Sequence, residues 1–385
     1  MSSYKLMNVA DLLKGYDQSN LTIGVLGGHS ALDCCHGAKK ERLKTVCVAR
    51  KGREKTYVKY YKTHDGRGCV DETIVVDAFE DVLKADIVQK LRSMNTIFIQ
   101  NRYFWVYMSD YAKIENEFTV PIFGNRTYVK IEERDQKYNQ YHLLRDAGIR
   151  TPKLFSKPEE IDRPVIVKAQ EVQRGYERAF FFVPTAGQYD SIGSKLEKEG
   201  KVSPNWRKAP IEEYILGAQI NFNYFYSPLS GELELMGTDM RRQTNLDGFI
   251  HLTAHEQTII RETFDVKRIE TGHIAVTVKE SLLEKAFELG EKFVAATKKM
   301  DASTGLSTGG KGIIGPFALQ GAVVAEEGKE DIVIFDVSLR IPGSPGTKFT
   351  PYSMYLHGEP MSYGERIAKE IKQAVQEGRL EEVVT

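Results

Sequence analysis

Residues 21–49 read LTIGVLGGHSALDCCHGAKKERLKTVCVA, and this stretch decides the fold of the N-terminal part of the chain. It opens with a short apolar run that ends in glycines, continues with a helix-like stretch over 30–42, and closes with a β-rich run over 44–49. Apolar runs bounded by glycine predict buried strands. A strand, a helix and a second strand in this order predict a βαβ unit.

The same alternation continues downstream of this unit. Two more β-rich runs, 73–76 and 96–100, flank the helix-like segment 79–93. Strands that alternate with helices form parallel sheets covered on both faces. We therefore predict a doubly wound parallel domain over residues 1–125.

Beyond residue 125 the pattern changes from alternating elements to strands in hairpin order. Residues 130–147 predict an amphipathic helix that ends at Gly148 and leads into the next unit. Three β-rich runs follow, which together with this helix predict a linker and an α+β lid over 126–217. These runs are PVIVK (164–168), AFFFV (179–183) and IEEYIL (211–216).

The C-terminal part, 218–385, is predicted to form a third unit built on antiparallel pairs. Runs at 218–226 and 231–237 flank a stretch of turn-forming residues, which is a hairpin signal. A helix is predicted over 280–300, and a second strand pair over 317–325 and 331–337. The fold class is therefore α/β and α+β.

Composition excludes several classes of function. The 385 residues contain 53 Lys and Arg and 53 Asp and Glu, so no net charge favours nucleic acid or a membrane surface. No apolar run has the roughly 18 residues of a membrane span, and we expect a cytoplasmic protein. The four cysteines are too few for a disulfide scaffold and are expected to be reduced and mostly buried.

The first candidate site is the turn GVLGGHSA (24–31), where a strand runs into two glycines, His29 and Ser30. A helix that begins at Ser30 would offer free N–H groups and a positive dipole end to an anion. His29 would then project from the carboxyl end of a parallel strand, where open α/β sheets bind ligands. A purely structural glycine turn is the alternative.

Two further candidates lie in the lid. Lys168 closes an apolar run and could reach ATP phosphates as a point charge, although lysines flank many strands without binding anything. Glu212 and Glu213 stand where a linker backbone near Ile215 could meet an adenine edge, and one carboxylate could meet a ribose hydroxyl. The alternative is a solvated edge strand.

Charged residues on the predicted C-terminal strands complete the candidates. Arg241 and Arg242 suit bidentate capture of phosphate or carboxylate, but paired arginines are often only surface residues. Asp336, Ser338 and Arg340 alternate along one strand and share a face with Gln320 of the neighbouring strand. A magnesium–phosphate site would explain this polar face, and an exposed sheet face is the alternative.

Ten segments, in this order, resemble the archaeal formate-dependent FAICAR synthetase (PurP) family over nearly the whole chain. Among them are GHSAL (28–32), PVIVK (164–168), ELELMGTD (232–239), IIGPFALQG (313–321) and FDVSLRI (335–341). The resemblance implies an ATP-grasp fold preceded by a pre-ATP-grasp domain. It further implies a ligase of purine biosynthesis that formylates the nucleotide AICAR with formate and ATP, through formyl phosphate.

The resemblance also implies roles for particular residues. It places His29, Ser30, Arg241, Arg242 and His273 around the acceptor nucleotide. It implies ATP contacts for a second set and a phosphate-stabilising role for Arg340. The ATP set is Lys168, Glu212, Glu213, Ile215 and Glu234. Gln320 and Asp336 correspond to ligands of Mg²⁺, for which Mn²⁺ is an alternative, and a homo-oligomer is expected.

Departures from the family pattern leave other interpretations open. Glutamate usually occupies both metal positions, where this chain has Gln320 and Asp336. The lid loop 169–178 keeps only one glycine, and the acceptor pocket contains 101–105 (NRYFW) and a Gly272–His273 pair. The alternatives are therefore a related ligase with another amine or carboxylate substrate, or a nucleotide-binding regulatory protein with little activity.

Overall fold

The computed structural model describes residues 7–108, 110–134, 136–169, 180–264, 269–300, 310–326 and 328–385. These residues form three sheets, of five, four and five strands, in the order of the chain. The first sheet belongs to a parallel α/β unit, as the sequence predicted. No helix of the described ranges is long and apolar enough to cross a membrane.

The first sheet is parallel throughout and has the strand order β3-β2-β1-β4-β5. Its strands are β1 (Thr22–Leu26), β2 (Lys44–Arg50), β3 (Glu72–Val76), β4 (Thr96–Ile99) and β5 (Ile122–Phe123). The helices of this part are α1 (Val9–Leu13), α2 (Ala31–Lys40), α3 (Ala85–Ser93), α4 (Tyr103–Val106) and α5 (Tyr111–Asn116). Every residue of β1 is buried, as expected for a central strand covered on both faces.

The strand order reverses between β1 and β4, which are direct neighbours. Ligands of open α/β sheets bind in the crevice at the carboxyl ends of such a strand pair. The fold therefore places the turn that contains His29 beside the segment that follows β4.

The second sheet has the order β6-β9-β7-β8 and forms the predicted α+β lid. Its strands are β6 (Leu154–Phe155), β7 (Val165–Lys168), β8 (Phe180–Val183) and β9 (Ile211–Glu213). Helices α6 (Gln140–Asp146) and α7 (Tyr189–Lys198) accompany it. The apolar core of this sheet packs around Trp206 and includes Val165 and Val167 of β7. Lys168 is the last residue of this packed strand.

The third sheet is antiparallel, with the order β12-β11-β10-β13-β14. Its strands are β10 (Ala218–Tyr226), β11 (Leu233–Gln243), β12 (Glu270–Ala275), β13 (Gly315–Glu326) and β14 (Lys329–Ser338). The helices are α8 (Leu246–Ile250), α9 (Ala254–Thr263), α10 (Leu283–Lys299), α11 (Tyr352–His357) and α12 (Tyr363–Gln376). Both predicted strand pairs and the helix predicted over 280–300 are confirmed.

The amphipathic helix predicted over 130–147 is wrong in extent. The chain instead forms a 3₁₀ turn at Tyr128–Glu132 and then the seven-residue helix α6. The side chain of Asn139 accepts a hydrogen bond from Tyr141 N at 3.0 Å and so caps the start of α6. Because α6 begins only here, it is not continuous with the preceding 3₁₀ turn. The segment 79–93 is likewise divided, into a 3₁₀ turn and α3.

The C-terminus returns to the first unit. Helix α12 packs on α2 so closely that a side-chain carbon at Gly37 would lie 2.0 Å from the Gly364 backbone. The last residue, Thr385, exchanges backbone hydrogen bonds with Ile122 of β5. The predicted boundaries at 125 and 217 stay a prediction, but the final helix packs against the first unit. All four cysteines are free and buried.

Candidate functional site

A lysine from the lid crosses to the third sheet. Lys168, at the end of β7, is buried, and its Nζ lies 2.6 Å from Glu212 Oε1 of the adjacent strand β9. The same ammonium donates a hydrogen bond of 3.1 Å to the carbonyl oxygen of Phe335 in β14. The predicted phosphate-binding lysine and the Asp336 strand are therefore in contact.

Two residues that the sequence did not single out complete this group. Arg134 donates to Asp336 Oδ1 at 3.0 Å and to the Tyr141 hydroxyl at 3.0 Å. Tyr141 in turn donates to Glu212. We call Lys168, Glu212, Asp336, Arg134 and Tyr141 the cleft cluster. The only sequence signal for Arg134 and Tyr141 is that both lie within the helix-like stretch 130–147.

The electrostatic state of the cleft cluster favours an added anion. Burial and the Arg134 guanidinium together lower the pKa of Lys168 from its ordinary value to about 8, although Glu212 and Asp336 oppose the change. A lowered lysine pKa means that its surroundings disfavour the ammonium. A phosphate oxygen placed against it would restore the charged form.

Gln320 and Asp336 are direct cross-strand partners, as predicted. Gln320 Oε1 accepts a hydrogen bond from Arg241, and its Nε2 donates to Ser338 Oγ at 2.9 Å. In the described ranges, no three His, Cys, Asp or Glu side chains group closely enough to hold a metal ion by themselves. One carboxylate and one amide oxygen do fit a Mg²⁺ whose other ligands are phosphate oxygens and waters.

A second polar network lies on β11 and β12. His273 places Nε2 3.1 Å from Glu270 Oε1, and its Nδ1 bonds Asp239, a buried carboxylate that also accepts from Asn221 and Asn223. Burial disfavours the imidazolium, but the hydrogen bonds to Asp239 and Glu270 outweigh it and raise the pKa of His273 to about 9. His273 therefore carries a positive charge at neutral pH.

The glycine turn after β1 touches the third unit. Ser30 occupies the N-cap position of α2, but its hydroxyl donates to Pro342 O at 2.6 Å instead of capping the helix. The His29 ring lies so close to Gly343 that a side-chain carbon there would be 2.6 Å away. Solvent reaches the His29 ring. Burial by the surrounding protein and the charges of Arg340 and Arg102 nevertheless lower the pKa of His29, so the imidazole is neutral.

Comparison with known proteins accounts for this arrangement. Residues 23–155 match the family described as Protein of unknown function (DUF1246), and residues 188–385 match Domain of unknown function (DUF1297). The 5-formaminoimidazole-4-carboxamide-1-(beta)-D-ribofuranosyl 5'-monophosphate synthetase of Methanothermobacter thermautotrophicus is 37% identical over 100% of both chains. Its counterpart from Methanocaldococcus jannaschii is 35% identical over 98% of each chain.

The chain belongs to this synthetase family.

Solved structures agree with the assignment. The IMP biosynthesis protein PurP from Thermococcus kodakaraensis is 26% identical, with a TM-score of 0.67 over 94% of this chain and 100% of that one. An N5-carboxyaminoimidazole ribonucleotide synthetase, solved as an ADP complex, has a TM-score of 0.54 and 13% identity, over 89% of this chain and 78% of that one. The second likeness shows the fold alone. The recognised family and the ATP-grasp fold are therefore confirmed.

Within this synthetase-family fold, Glu234 does not join the cleft cluster. Its carboxylate accepts from Arg366 at 2.8–3.0 Å and lies 3.0 Å from His357 Nε2. Arg366 also binds Glu370 at 2.8 Å. We call Glu234, Arg366, Glu370 and His357 the core cluster. The ATP contact of Glu234 stays a prediction, and in the structure its carboxylate is held by Arg366 of α12 and His357 of α11.

Strand alternation explains why two other predicted residues point elsewhere. Glu213 follows Glu212, so its side chain lies on the opposite face, where it pairs with Arg163 at 2.8 Å. Arg242 likewise follows Arg241, is exposed, and lies 3.8 Å from Asp247. Ile215 is partly buried just beyond the end of β9. The lid loop 170–178 lies outside the described residues.

Arg340 follows the end of β14 and contacts Glu132. It is buried, its NH1 donates to Ile341 O at 3.3 Å, and its NH2 lies 3.5 Å from Glu132 Oε2. Burial raises the pKa of Glu132. Arg340 thus lies between the strand that holds Asp336 and the first unit.

Proposed function

We propose that this protein is an ATP-dependent ligase that formylates AICAR with formate, giving FAICAR, ADP and phosphate. The observation that carries the proposal is the family membership over the full chain, joined to a cleft cluster that presents Lys168 and Arg134 between the lid and the third sheet. We further propose that it acts as a cytoplasmic homo-oligomer.

In the first step, a formate oxygen attacks the γ-phosphorus of ATP. The bond from that phosphorus to the β,γ-bridging oxygen breaks, which releases ADP and leaves formyl phosphate. Negative charge grows on the bridging and equatorial oxygens, and fixed cations nearby lower the barrier. We assign this role to Lys168 and Arg134, and their contacts with β14 support the assignment.

In the second step, the acceptor amine attacks the formyl carbon. The carbon–oxygen bond to the phosphate breaks, inorganic phosphate leaves, and the nitrogen loses a proton. The neutral His29 imidazole faces this region from the first unit. We propose that it orients the acceptor, beside Ser30 and the network of Arg241 and His273.

Asp336 and Gln320 would hold the divalent cation, Mg²⁺ or Mn²⁺, together with the nucleotide. Bound there, the ion would neutralise phosphate charge during transfer. Arg134 already pairs with Asp336, so the protein contributes one shared carboxylate and one amide. We therefore expect weak metal binding unless nucleotide is present.

A second candidate function is the same chemistry on a different amine or carboxylate. It is favoured by the departures from the family pattern in the predicted acceptor pocket, at 101–105 and at Gly272–His273. Phosphate release from ATP, measured with AICAR and formate and with a panel of other amines and acids, separates the two. Release that requires AICAR and formate together supports the first proposal. Release only with another pair supports the second, and none with any pair contradicts both.

His29→Ala tests the acceptor site. We expect a raised KM for AICAR, by roughly tenfold, with nearly unchanged ATP affinity, because His29 lies on the first unit and Lys168 on the lid. Loss of both affinities to the same extent would show that His29 only supports the fold.

A further inference from the structure

The crevice at the strand reversal holds an arginine, Arg102, whose side chain has no hydrogen-bond acceptor among the described residues. Arg102 follows β4 and therefore lies beside the glycine turn that follows β1. Its guanidinium is partly buried and makes no hydrogen bond or ion pair with any described residue. Partly buried arginines usually satisfy their five donors, so this one lacks a ligand or partner.

The backbone around Arg102 is fixed on both sides. Asn101 is fully buried, donates to Leu26 O at 3.0 Å, and accepts from Tyr103 N at 3.0 Å. The Tyr103 ring packs over Gly28, where a side-chain carbon would lie 2.1 Å from it. The turn at 101–103 is thus anchored to the His29 turn, and Arg102 is held at the crevice.

A second arginine faces the same crevice from the third unit. Arg340 is 9% exposed, and no described residue accepts a hydrogen bond from its Nε. It lines a small cavity with Ile99 and Gln100, the residues that lead to Arg102. Its contact with Glu132 is 3.5 Å, long for a charge-assisted hydrogen bond.

The positive charges of Arg102 and Arg340 repel each other. Burial, followed by the Arg340 charge, lowers the pKa of Arg102, and Glu132 only partly compensates. Two guanidinium groups that converge from different units with open donors form a fork for a dianion. Binding such an anion would remove the repulsion and supply the missing acceptors.

We propose that Arg102 and Arg340 together bind the phosphate monoester of the acceptor nucleotide. This inference rests on the proposed function. The acceptor is preferred to ATP as the source of the phosphate because Arg102 belongs to the first unit, beside His29. The cation group suited to ATP, Lys168 and Arg134, instead joins the lid to the third sheet. The phosphate-stabilising role predicted for Arg340 is thereby assigned to the acceptor.

The test compares AICAR with its nucleoside, which lacks the phosphate, and with ATP, by calorimetric titration of the full chain. Arg102→Ala should weaken AICAR binding roughly ten- to hundred-fold and leave nucleoside binding and ATP binding within about threefold. Arg102→Lys should recover part of the affinity. Arg67→Ala removes the same charge from an exposed position of the first unit and serves as the matched control.

Several outcomes overturn the inference. They are an unchanged AICAR affinity in Arg102→Ala, equal weakening of nucleotide and nucleoside, or weakening of ATP in place of AICAR. If the wild-type protein formylates AICAR but Arg102→Ala binds it normally, the subsite is wrong and the proposed function stands. If AICAR binds through Arg102 and is never formylated, the subsite stands and the proposed function fails.

Discussion

The cleft cluster and the core cluster both bury cations against carboxylates, but Lys168 of the first and Arg366 of the second are in opposite electrostatic states. Burial disfavours the Arg366 charge, yet the bonds to Glu234 and Glu370 outweigh it, and the pKa of Arg366 rises. Burial of Lys168 is instead reinforced by Arg134, and the pKa of Lys168 falls to about 8. One cation is stabilised by its neighbours, and the other is not.

On this difference we assign the core cluster to the stability of the fold and propose the cleft cluster as the binding site. The core cluster sets two carboxylates against one guanidinium, so a phosphate there would meet net negative charge. The cleft cluster sets two cations against two carboxylates and lies where the lid meets the third sheet. Burial and pairing are common to both, whereas the capacity to accept another anion belongs to the cleft alone.

The largest expected effect comes from opening the core cluster. Arg366→Ala would leave Glu234 and Glu370 buried without their shared cation, which should reduce the free energy of unfolding by about 3–5 kcal/mol. Urea denaturation measures it. Arg163→Ala, which breaks an exposed pair with Glu213, is the control and should change the free energy of unfolding far less, because solvent screens exposed ion pairs. A loss of ATP affinity in folded Arg366→Ala would contradict its structural assignment.

Removing the cleft lysine should affect ATP binding more than the free energy of unfolding. Lys168→Ala is expected to weaken ATP binding by about 1.5–3 kcal/mol, the contribution of a hydrogen bond to a charged group. Its effect on unfolding should be smaller than that of Arg366→Ala, because Lys168 is poorly stabilised in the free protein. An unchanged nucleotide dissociation constant would place ATP elsewhere.

The pH dependence of ATP binding sharpens the comparison further. The pKa of Lys168 in the folded protein, about 8, lies below its ordinary value of 10.5, so the cost of burying the ammonium is fully present below pH 8. That cost is relieved as pH rises from about 8 to 10.5, where the unfolded chain binds more protons. ATP affinity should instead fall, by roughly tenfold per pH unit above pH 8.

Calorimetry in buffers of different ionisation enthalpy tests this linkage. ATP binding at pH 8 to 9 should take up a proton, and Lys168→Ala should abolish the uptake. Proton uptake that persists in the variant would assign the titration to another group.

The smallest expected effect concerns Gln320. Gln320→Glu adds a carboxylate beside Arg241 and opposite Asp336, and should tighten Mg²⁺ binding in the presence of nucleotide by about 1 kcal/mol, with faster ATP turnover. Metal titration and phosphate release measure both. If neither changes, Gln320 is no part of the metal site.

Much of the fold followed from the sequence because local signals agreed with the tertiary structure. The run 21–49 gave β1, α2 and β2 nearly to the residue, and the turn residues at 227–231 gave the β10–β11 hairpin. The prediction of one helix over 130–147 was wrong because it followed the apolar spacing and overlooked the helix cap at Asn139. Strand β12 was missed, and no local pattern indicated that α12 would pack on α2.

For the site, the sequence by itself determined which chemical groups are available. Lys168, Asp336 and Gln320 were found because each ends a buried strand or shares a strand face, and both are consequences of period-two geometry. Only the tertiary structure decided which groups meet. It joined Arg134 to Asp336, paired Arg366 with Glu234, and brought Arg102 within reach of the Arg340 charge. Contacts between residues 100 or more positions apart depend on how whole sheets pack, and no local pattern of side chains encodes that packing.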